Sequence, residues 1–340
     1  MNPLLKNLVV SVGLWILTSC SITPQAGRSI SAPGDQCQFL TTSRNPYPPI
    51  DEKKLQLSGS IHKTPEGNLE VIINPLVWQG DPLRVLGRDP KNLKFTIDGI
   101  PAMPSIGGRI RADLVVAIDT TGSMFWAIQS VQKSLLQLTN AMETNGFDIQ
   151  VGGIEFGDQL RSLHPMGPPA AIDPWLKSLS AQGGGDGPEN PLDAMLLGLP
   201  NLNLRKGAQV ALLIITDAGI HEKSDGDDCT QFNLSDFRDH YSGRTFTTVI
   251  YGNWLGTPPA GVHPRRLTQS TGGLFLEIMP KDGRLDFDLS SDLGLKNRWL
   301  QSKILTFPKE MASEGQHLEV RYAHQGETFI QEFDLRNPSP

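Results

Sequence analysis

The sequence has no excess of basic residues with which to bind a nucleic acid. Across 340 residues, 30 Lys and Arg stand against 36 Asp and Glu, which gives a formal net charge of -6. Proteins that bind nucleic acids need a basic face or stripe to neutralise phosphates. The charge balance therefore argues against that class of partner, while a hydrophobic fraction of 38% suffices for a buried core.

The sequence also lacks the motifs of several enzyme classes. No phosphate-binding GxxxxGK[ST] loop occurs, and Ser123 lies in TGSM rather than in the GxSxG turn that carries a hydrolase nucleophile. The seven His residues are scattered, and none stands in a context that marks a catalytic base. We therefore predict that the protein is not an enzyme.

Long apolar runs are lacking too, and the run at the N-terminus is short. The apolar run Leu8–Leu17 follows the positive charge of Lys6. It is shorter than the about 20 apolar residues that a membrane-spanning helix needs. The run ends in LTSC, which resembles the lipobox of bacterial lipoproteins, where cleavage leaves Cys20 as the lipidated N-terminus. An ordinary signal peptide that contains a Cys is the alternative. We expect a lipid-anchored protein of the bacterial cell envelope, on the periplasmic face of the outer membrane or the cell surface.

Cysteine is scarce, with three residues in the whole chain. If Cys20 carries the lipid, Cys37 and Cys229 remain, and two leftover thiols in an exported chain often pair. We predict a disulfide between them, with two free thiols as the alternative.

The stretch DLVVAIDTTGS, residues 113–123, is the most informative one that the sequence contains. A short, β-branched apolar run followed by turn residues predicts a buried parallel strand that ends at Asp119. Thr121 and Ser123 follow, and the periodic segment Phe125–Met142 predicts a helix. Ligand sites in open α/β sheets lie at this edge, and we expect Asp119 to lie there, outside the core. Oxygen donors at close spacing suit Mg²⁺ or Mn²⁺ better than zinc. A helix cap with a glycine turn is the competing interpretation.

The pattern Asp-x-Thr-x-Ser resembles the metal-ion-dependent adhesion site of von Willebrand factor type A (VWA) domains. The resemblance implies that the hydroxyls of Thr121 and Ser123 bind the metal directly and that Asp119 acts through a water. A later acid matches Asp217, which ends ALLIITD, and the loop GGGDGPEN places Asp186 where many members carry a Thr. The implied cofactor is Mg²⁺, with Mn²⁺ or Ca²⁺ as alternatives.

Strands and helices alternate through residues 111–280, which predicts a doubly wound, mostly parallel α/β sheet. A long polar loop is predicted from Ala218 to Asn233. Shorter alternating runs on either side predict antiparallel strands. We expect these strands to form a small β-sandwich in which the α/β domain is inserted, with two separate β units as the alternative. The predicted organisation is a lipoprotein signal peptide (1–20), a flexible tether (21–50), an N-terminal β segment (51–110), the α/β domain (111–280) and a C-terminal segment (281–340) that pairs with the N-terminal strands.

The resemblance implies a metal-dependent protein-binding or scaffolding module. An open metal position would accept a Glu or Asp carboxylate from an envelope or extracellular protein. Two other classes stay open. One is a metal-dependent hydrolytic or phosphoryl-transfer enzyme, which would need a general base or a basic clamp at the same sheet edge. The other is a structural envelope lipoprotein with a degenerate metal site.

Overall fold

The structure is a computed structural model that describes most of the chain. The described residues are 28–29, 59–78, 81–83, 93–184, 187–225, 230–241, 245–254, 256, 259–300, 302–311, 317–324 and 326–335. Asp186 and the three cysteines, Cys20, Cys37 and Cys229, lie outside these residues. The predicted metal ligation by Asp186, lipidation of Cys20 and Cys37–Cys229 disulfide therefore stay predictions.

A mostly parallel sheet forms the centre of the described part of the chain. Its strand order is β1-β11-β10-β9-β13-β15-β16. The five strands from β10 to β16 run parallel, β11 is antiparallel to β10, and β1 is antiparallel to β11. The strands are β1 (Arg28–Ser29), β9 (Ile110–Asp119), β10 (Phe147–Phe156), β11 (Leu160–Gly167), β13 (Gln209–Thr216), β15 (Thr245–Gly252) and β16 (Gly273–Ile278). The predicted doubly wound, mostly parallel α/β fold is confirmed.

Helices cover both faces of this sheet. They are α1 (Phe125–Thr144), α2 (Asp173–Ser178), α3 (Pro191–Gly198), α4 (Leu234–Tyr241), α5 (Arg265–Thr271) and α6 (Leu295–Trp299). Strand β9 is buried on both faces, because Leu114 and Val116 pack with α1 in one core while Val115 and Ala117 pack with α3 in another. Burial on both faces explains why this strand is continuously apolar rather than alternating.

Two four-stranded antiparallel sheets flank the α/β region in sequence. Their orders are β2-β3-β17-β8 and β19-β18-β6-β7. The strands are β2 (Gly59–Lys63), β3 (Leu69–Ile73), β6 (Leu93–Ile97), β7 (Ile100–Pro101), β8 (Ser105–Ile106), β17 (Lys303–Phe307), β18 (His317–His324) and β19 (Glu327–Asp334). β17 pairs with β3 and β18 pairs with β6, so each sheet combines strands from before and after the α/β region.

The two flanking sheets share one apolar core. Val71 and Phe307 come from one sheet, Val320 and Tyr322 from the other, and all four are buried in the same cluster. Gln209, at the start of β13, donates hydrogen bonds to Asn74 and Ser302. The sandwich therefore contacts the α/β domain at the end of the sheet opposite to Asp119.

Two small strand pairs complete the described architecture. β4 (Leu76–Trp78) pairs with β5 (Asp81–Leu83), and β12 (Pro188–Glu189) pairs in parallel with β14 (Gly219–Ile220). The second pair corrects an expectation from the sequence, which predicts one continuous polar loop from Ala218 to Asn233. Ile220 also forms an antiparallel bridge with Val262. The Ile220 N–H donates to the Val262 carbonyl at 2.8 Å and the Val262 N–H donates to the Ile220 carbonyl at 3.0 Å, so backbone groups of two loops satisfy each other.

Among the described residues, none of the helices combines the length and the apolar character that crossing a bilayer requires.

Candidate metal site

Asp119 is the last residue of β9 and its carboxylate is fully buried. Oδ1 accepts hydrogen bonds from the Thr121 backbone N–H at 2.9 Å and from the Thr121 hydroxyl at 2.8 Å. Oδ2 accepts a hydrogen bond from the Thr216 hydroxyl at 2.7 Å. The expectation that Asp119 lies outside the core is wrong, because residues of two strand ends enclose both of its oxygens.

Asp217 follows directly after β13, the strand next to β9. Its Oδ1 accepts a hydrogen bond from the Ser123 hydroxyl at 2.9 Å, and its Oδ2 accepts one from the indole N–H of Trp254 at 2.6 Å. Ser123 lies in the short 3₁₀ turn Gly122–Met124 that precedes α1. The two acids therefore lie at the carboxyl ends of adjacent strands, and each is bonded to one hydroxyl of the DTTGS segment.

The burial of these acids changes their protonation. The pKa of Asp119 is raised to about 6, chiefly by burial and also by the nearby charge of Asp217, against the opposing effect of hydrogen bonds from Thr121 and Thr216. Burial also raises the pKa of Asp217, against hydrogen bonds from Ser123 and Trp254. Two acids in a partly dry site disfavour each other's charge, and a cation between them would reverse this effect.

The glycine-rich segment before Asp186 lies against the DTTGS segment. The Gly122 N–H donates to the Gly183 carbonyl at 3.0 Å, and the Gln182 N–H donates to the Thr120 carbonyl at 2.8 Å. Gly184 adopts a φ of 95°, and a Cβ there would lie 3.3 Å from the Thr121 Cβ. Glycine is therefore required at this close approach.

Arg161 fixes these two segments to each other from β11. One guanidinium nitrogen donates to the Thr120 carbonyl at 2.9 Å, to the Thr120 hydroxyl at 2.8 Å and to the Gln182 carbonyl at 3.1 Å. The Thr120 hydroxyl also donates to Glu155 at 3.0 Å. Arg161 on β11 thus joins Thr120 to Gln182, and Glu155 on β10 accepts the hydroxyl proton of Thr120.

An open cleft of about 540 Å³ lies above these residues. Its walls are mostly small or apolar, and the described residues that line it are Thr121, Gly122, Ser123, Gly183, Gly184, Gly187, Glu189, Asp217, Ala218, Tyr251, Asn253, Trp254, Pro259 and Ala260. Thr121, Ser123 and Asp217 thus reach the cleft, whereas Asp119 lies beneath it.

The donor set fits a hard divalent cation. Thr121 and Ser123 each donate their hydroxyl proton to a carboxylate, so the oxygen lone pairs remain available for an ion. The side chains of Asp119, Thr121, Ser123 and Asp217 all carry oxygen atoms, which are the ligands that Mg²⁺, Mn²⁺ and Ca²⁺ prefer. Among the described residues no group of three or more His, Cys, Asp or Glu has the geometry of a metal site, so the fit depends on the two hydroxyls.

Three residues that contact the predicted site carry little or no signal in the sequence. Thr216 had a signal, because it is a hydroxyl residue at the end of the otherwise apolar run ALLII. Arg161 and Trp254 had none, since their contacts with Thr120 and Asp217 depend on how distant segments meet.

Remote similarities to solved structures are found. A conserved hypothetical protein BatB from Bacteroides thetaiotaomicron is 14% identical with a TM-score of 0.38, over 55% of this chain and 96% of that one. An aerotolerance-related membrane protein from Bacteroides fragilis is 16% identical with a TM-score of 0.39, over 56% and 98%. The VWA domain of SpRpn10 is 10% identical with a TM-score of 0.38, over 51% and 90%.

Neither a protein-family model nor a curated protein matches the sequence. At such low identity, similarity to a solved structure concerns the fold and says nothing about the site.

Proposed function

We propose that this protein is a divalent-cation-dependent protein-binding module of the bacterial cell envelope, with a VWA-type metal-ion-dependent adhesion site. The observation that supports it is the pairing of two hydroxyls with two acids, Thr121 with Asp119 and Ser123 with Asp217, at adjacent strand ends below one open cleft. Such pairing leaves the hydroxyl oxygens available to a cation and keeps negative charge directly behind them.

The residues of the site have distinct roles in this proposal. Thr121 and Ser123 hold Mg²⁺, or Mn²⁺ or Ca²⁺, through their hydroxyl oxygens, while Asp119 and Asp217 fix those hydroxyls and orient bound water. A bound cation with few direct anionic ligands supplies an electrophilic position for a carboxylate of a partner protein. Asp186 belongs to the proposed ligand set on the resemblance of its loop alone.

The character of the cleft favours a binding module over an enzyme. Ala218, Pro259 and Ala260 present small apolar groups beside the acids, which suits contact with a partner side chain. The described lining residues also include Glu189 and Asp217, whose negative charge would repel any anion unless a cation intervened. A partner carboxylate meets the same repulsion, so its binding should depend on the cation.

The envelope location is part of the proposal and derives from the N-terminal sequence. The LTSC segment would place a lipid on Cys20, and residues 21–50 would separate the folded part from the membrane. A cation-dependent module held in this way would bind proteins of the same envelope or of the cell exterior.

Isothermal titration of MgCl₂ and MnCl₂ into the full-length chain tests the cation requirement. We expect saturable binding by the wild type and loss of binding in Asp119→Asn, which removes the charge but keeps the size of the side chain. Asp173→Asn is the matched control, because Asp173 is an acid of α2 paired with Lys177. Absence of saturable binding by the wild type would favour the structural interpretation, with a degenerate site.

The partner is tested by capture from an envelope extract. Wild-type protein should retain a protein in Mg²⁺ and release it in EDTA, and Asp119→Asn should retain none under either condition. Retention that is equal in Mg²⁺ and EDTA would contradict cation-dependent binding.

A further inference from the structure

Trp254 lies in the loop that follows β15 and contacts Asp217, an acid of the candidate metal site. Its indole N–H donates to Asp217 Oδ2 at 2.6 Å, while Ser123 occupies Oδ1. Both oxygens of Asp217 are therefore fixed, one by each of two segments far apart in sequence. Trp254 is 37% exposed and belongs to none of the apolar core clusters of the described residues.

The neighbouring residues hold the Trp254 backbone in place. The Asn253 N–H donates to the Ile278 carbonyl at 2.9 Å, and its side-chain amide donates to Glu277 at 2.6 Å. The Gly256 N–H donates to the Asn253 side-chain oxygen at 2.8 Å. These bonds tie the loop to the end of β16 on one side and close a turn on the other.

Gly252 allows the loop to begin beside Asp217. A Cβ at Gly252 would lie 3.1 Å from the Asp217 Cβ and 2.3 Å from a methyl group of Leu285. A larger residue would require the Leu285 side chain or the strand end to shift. In the sequence Gly252-Asn253-Trp254, the glycine thus permits the close approach to Asp217, the asparagine holds the loop, and the tryptophan donates to Asp217.

We propose that Trp254 is a positioning residue of the metal site, which holds the Asp217 carboxylate in the orientation that cation binding requires. This inference rests on the proposed function. A carboxylate that orients a metal-bound water must keep one rotamer, and a hydrogen bond from the indole N–H to its outer oxygen restrains that rotamer. Loss of such an outer partner typically costs about 10- to 100-fold in metal affinity.

Titration of MnCl₂ into full-length Trp254→Phe tests the proposal, because Phe keeps an aromatic ring and removes the N–H. We expect Mn²⁺ affinity to fall about tenfold. Trp126→Phe is the matched control, since the Trp126 ring packs against Arg284 at 4.7 Å, and it should keep wild-type affinity. Unchanged or tighter Mn²⁺ binding in Trp254→Phe would overturn the inference. Wild-type protein that binds no Mn²⁺ would overturn the proposed function itself.

A spectroscopic measurement distinguishes positioning from a general effect on folding. The chain has six Trp residues, and the indole ¹⁵N–¹H resonance that is missing from Trp254→Phe identifies Trp254. We expect this resonance to shift when Mg²⁺ is added to the wild type, while the resonance missing from Trp126→Phe stays in place. A Trp254 resonance that does not move at saturating Mg²⁺ would contradict the inference, even if the variant were less stable.

Discussion

The Thr216 hydroxyl donates a hydrogen bond of 2.7 Å to Asp119 Oδ2 and so joins the carboxyl ends of the adjacent strands β13 and β9. Both residues are buried, and the same acid accepts the hydroxyl of Thr121 on its other oxygen. Asp119 therefore belongs to the core and to the candidate site at once. Substitutions here should change stability as well as cation binding, and the two effects can be separated by measuring each with and without the cation.

Removal of the Thr216 hydroxyl should weaken both the fold and the site. Thr216→Val keeps the shape of the side chain but leaves Asp119 Oδ2 without that donor, which typically costs about 1–3 kcal/mol for a buried group. We expect a loss of that size in the free energy of unfolding at neutral pH in EDTA, measured by denaturant titration. Thr216→Ser, which keeps the hydroxyl, should lose less. A negligible loss in Thr216→Val would contradict a stabilising role for this hydrogen bond.

The raised pKa of Asp119 predicts how pH affects the cation-free protein. The pKa is about 6 in the folded state and near 3.8 when unfolded, so the folded state binds more protons between these values. The stability that Asp119 contributes is therefore present below pH 4 and is lost as the pH rises through about 6. At pH 7.5 the wild type carries a buried charge at Asp119 that Asp119→Asn lacks, whereas at pH 4.5 the folded wild type is mostly protonated there. In EDTA, Asp119→Asn should therefore raise the unfolding free energy over that of the wild type by more at pH 7.5 than at pH 4.5. A difference that is the same at both pH values would contradict the shift.

The same pKa predicts the pH dependence of cation binding. A cation must displace the proton from Asp119, so Mn²⁺ affinity should fall as the pH drops below about 6. Titrations of the wild type at pH 7.5, 6.5 and 5.5 measure this change. Affinity that stays constant across the series would place the ion away from Asp119.

The lipid anchor is tested independently of the folded part. Cys20→Ser should release the protein from the membrane or block its maturation, because the thiol is needed to take the lipid as a thioether. Metabolic labelling with palmitate measures this directly. Equal labelling of wild type and Cys20→Ser would remove the lipoprotein proposal and leave an ordinary signal peptide.

Much of the α/β fold could be predicted because its signals are local. The run from Leu114 to Ile118 is buried on both faces, and the spacing of apolar residues predicted α1, which the structure places at Phe125–Thr144. The positions of Asp119 and Asp217 at the carboxyl ends of two strands also follow from the apolar runs that precede them. Periodicity and connection rules sufficed for these features.

The missed features depend on contacts between distant segments. β12 and β14 are two residues long. They form by pairing with each other and are too short to show an alternating apolar pattern in the sequence. The burial of Asp119 arises because Thr216 covers it, and the role of Trp254 requires that the loop after β15 reach Asp217. No single stretch of sequence carries that information.

Thermal unfolding in EDTA and in Mg²⁺ tests the central claim most directly. A cation that binds the folded state alone stabilises it in proportion to the logarithm of its concentration over Kd. We expect Mg²⁺ to raise the Tm of the full-length wild type and of Asp173→Asn, and to leave the Tm of Asp119→Asn unchanged. An equal rise in wild type and Asp119→Asn, or no rise in the wild type, would contradict a cation site built around Asp119.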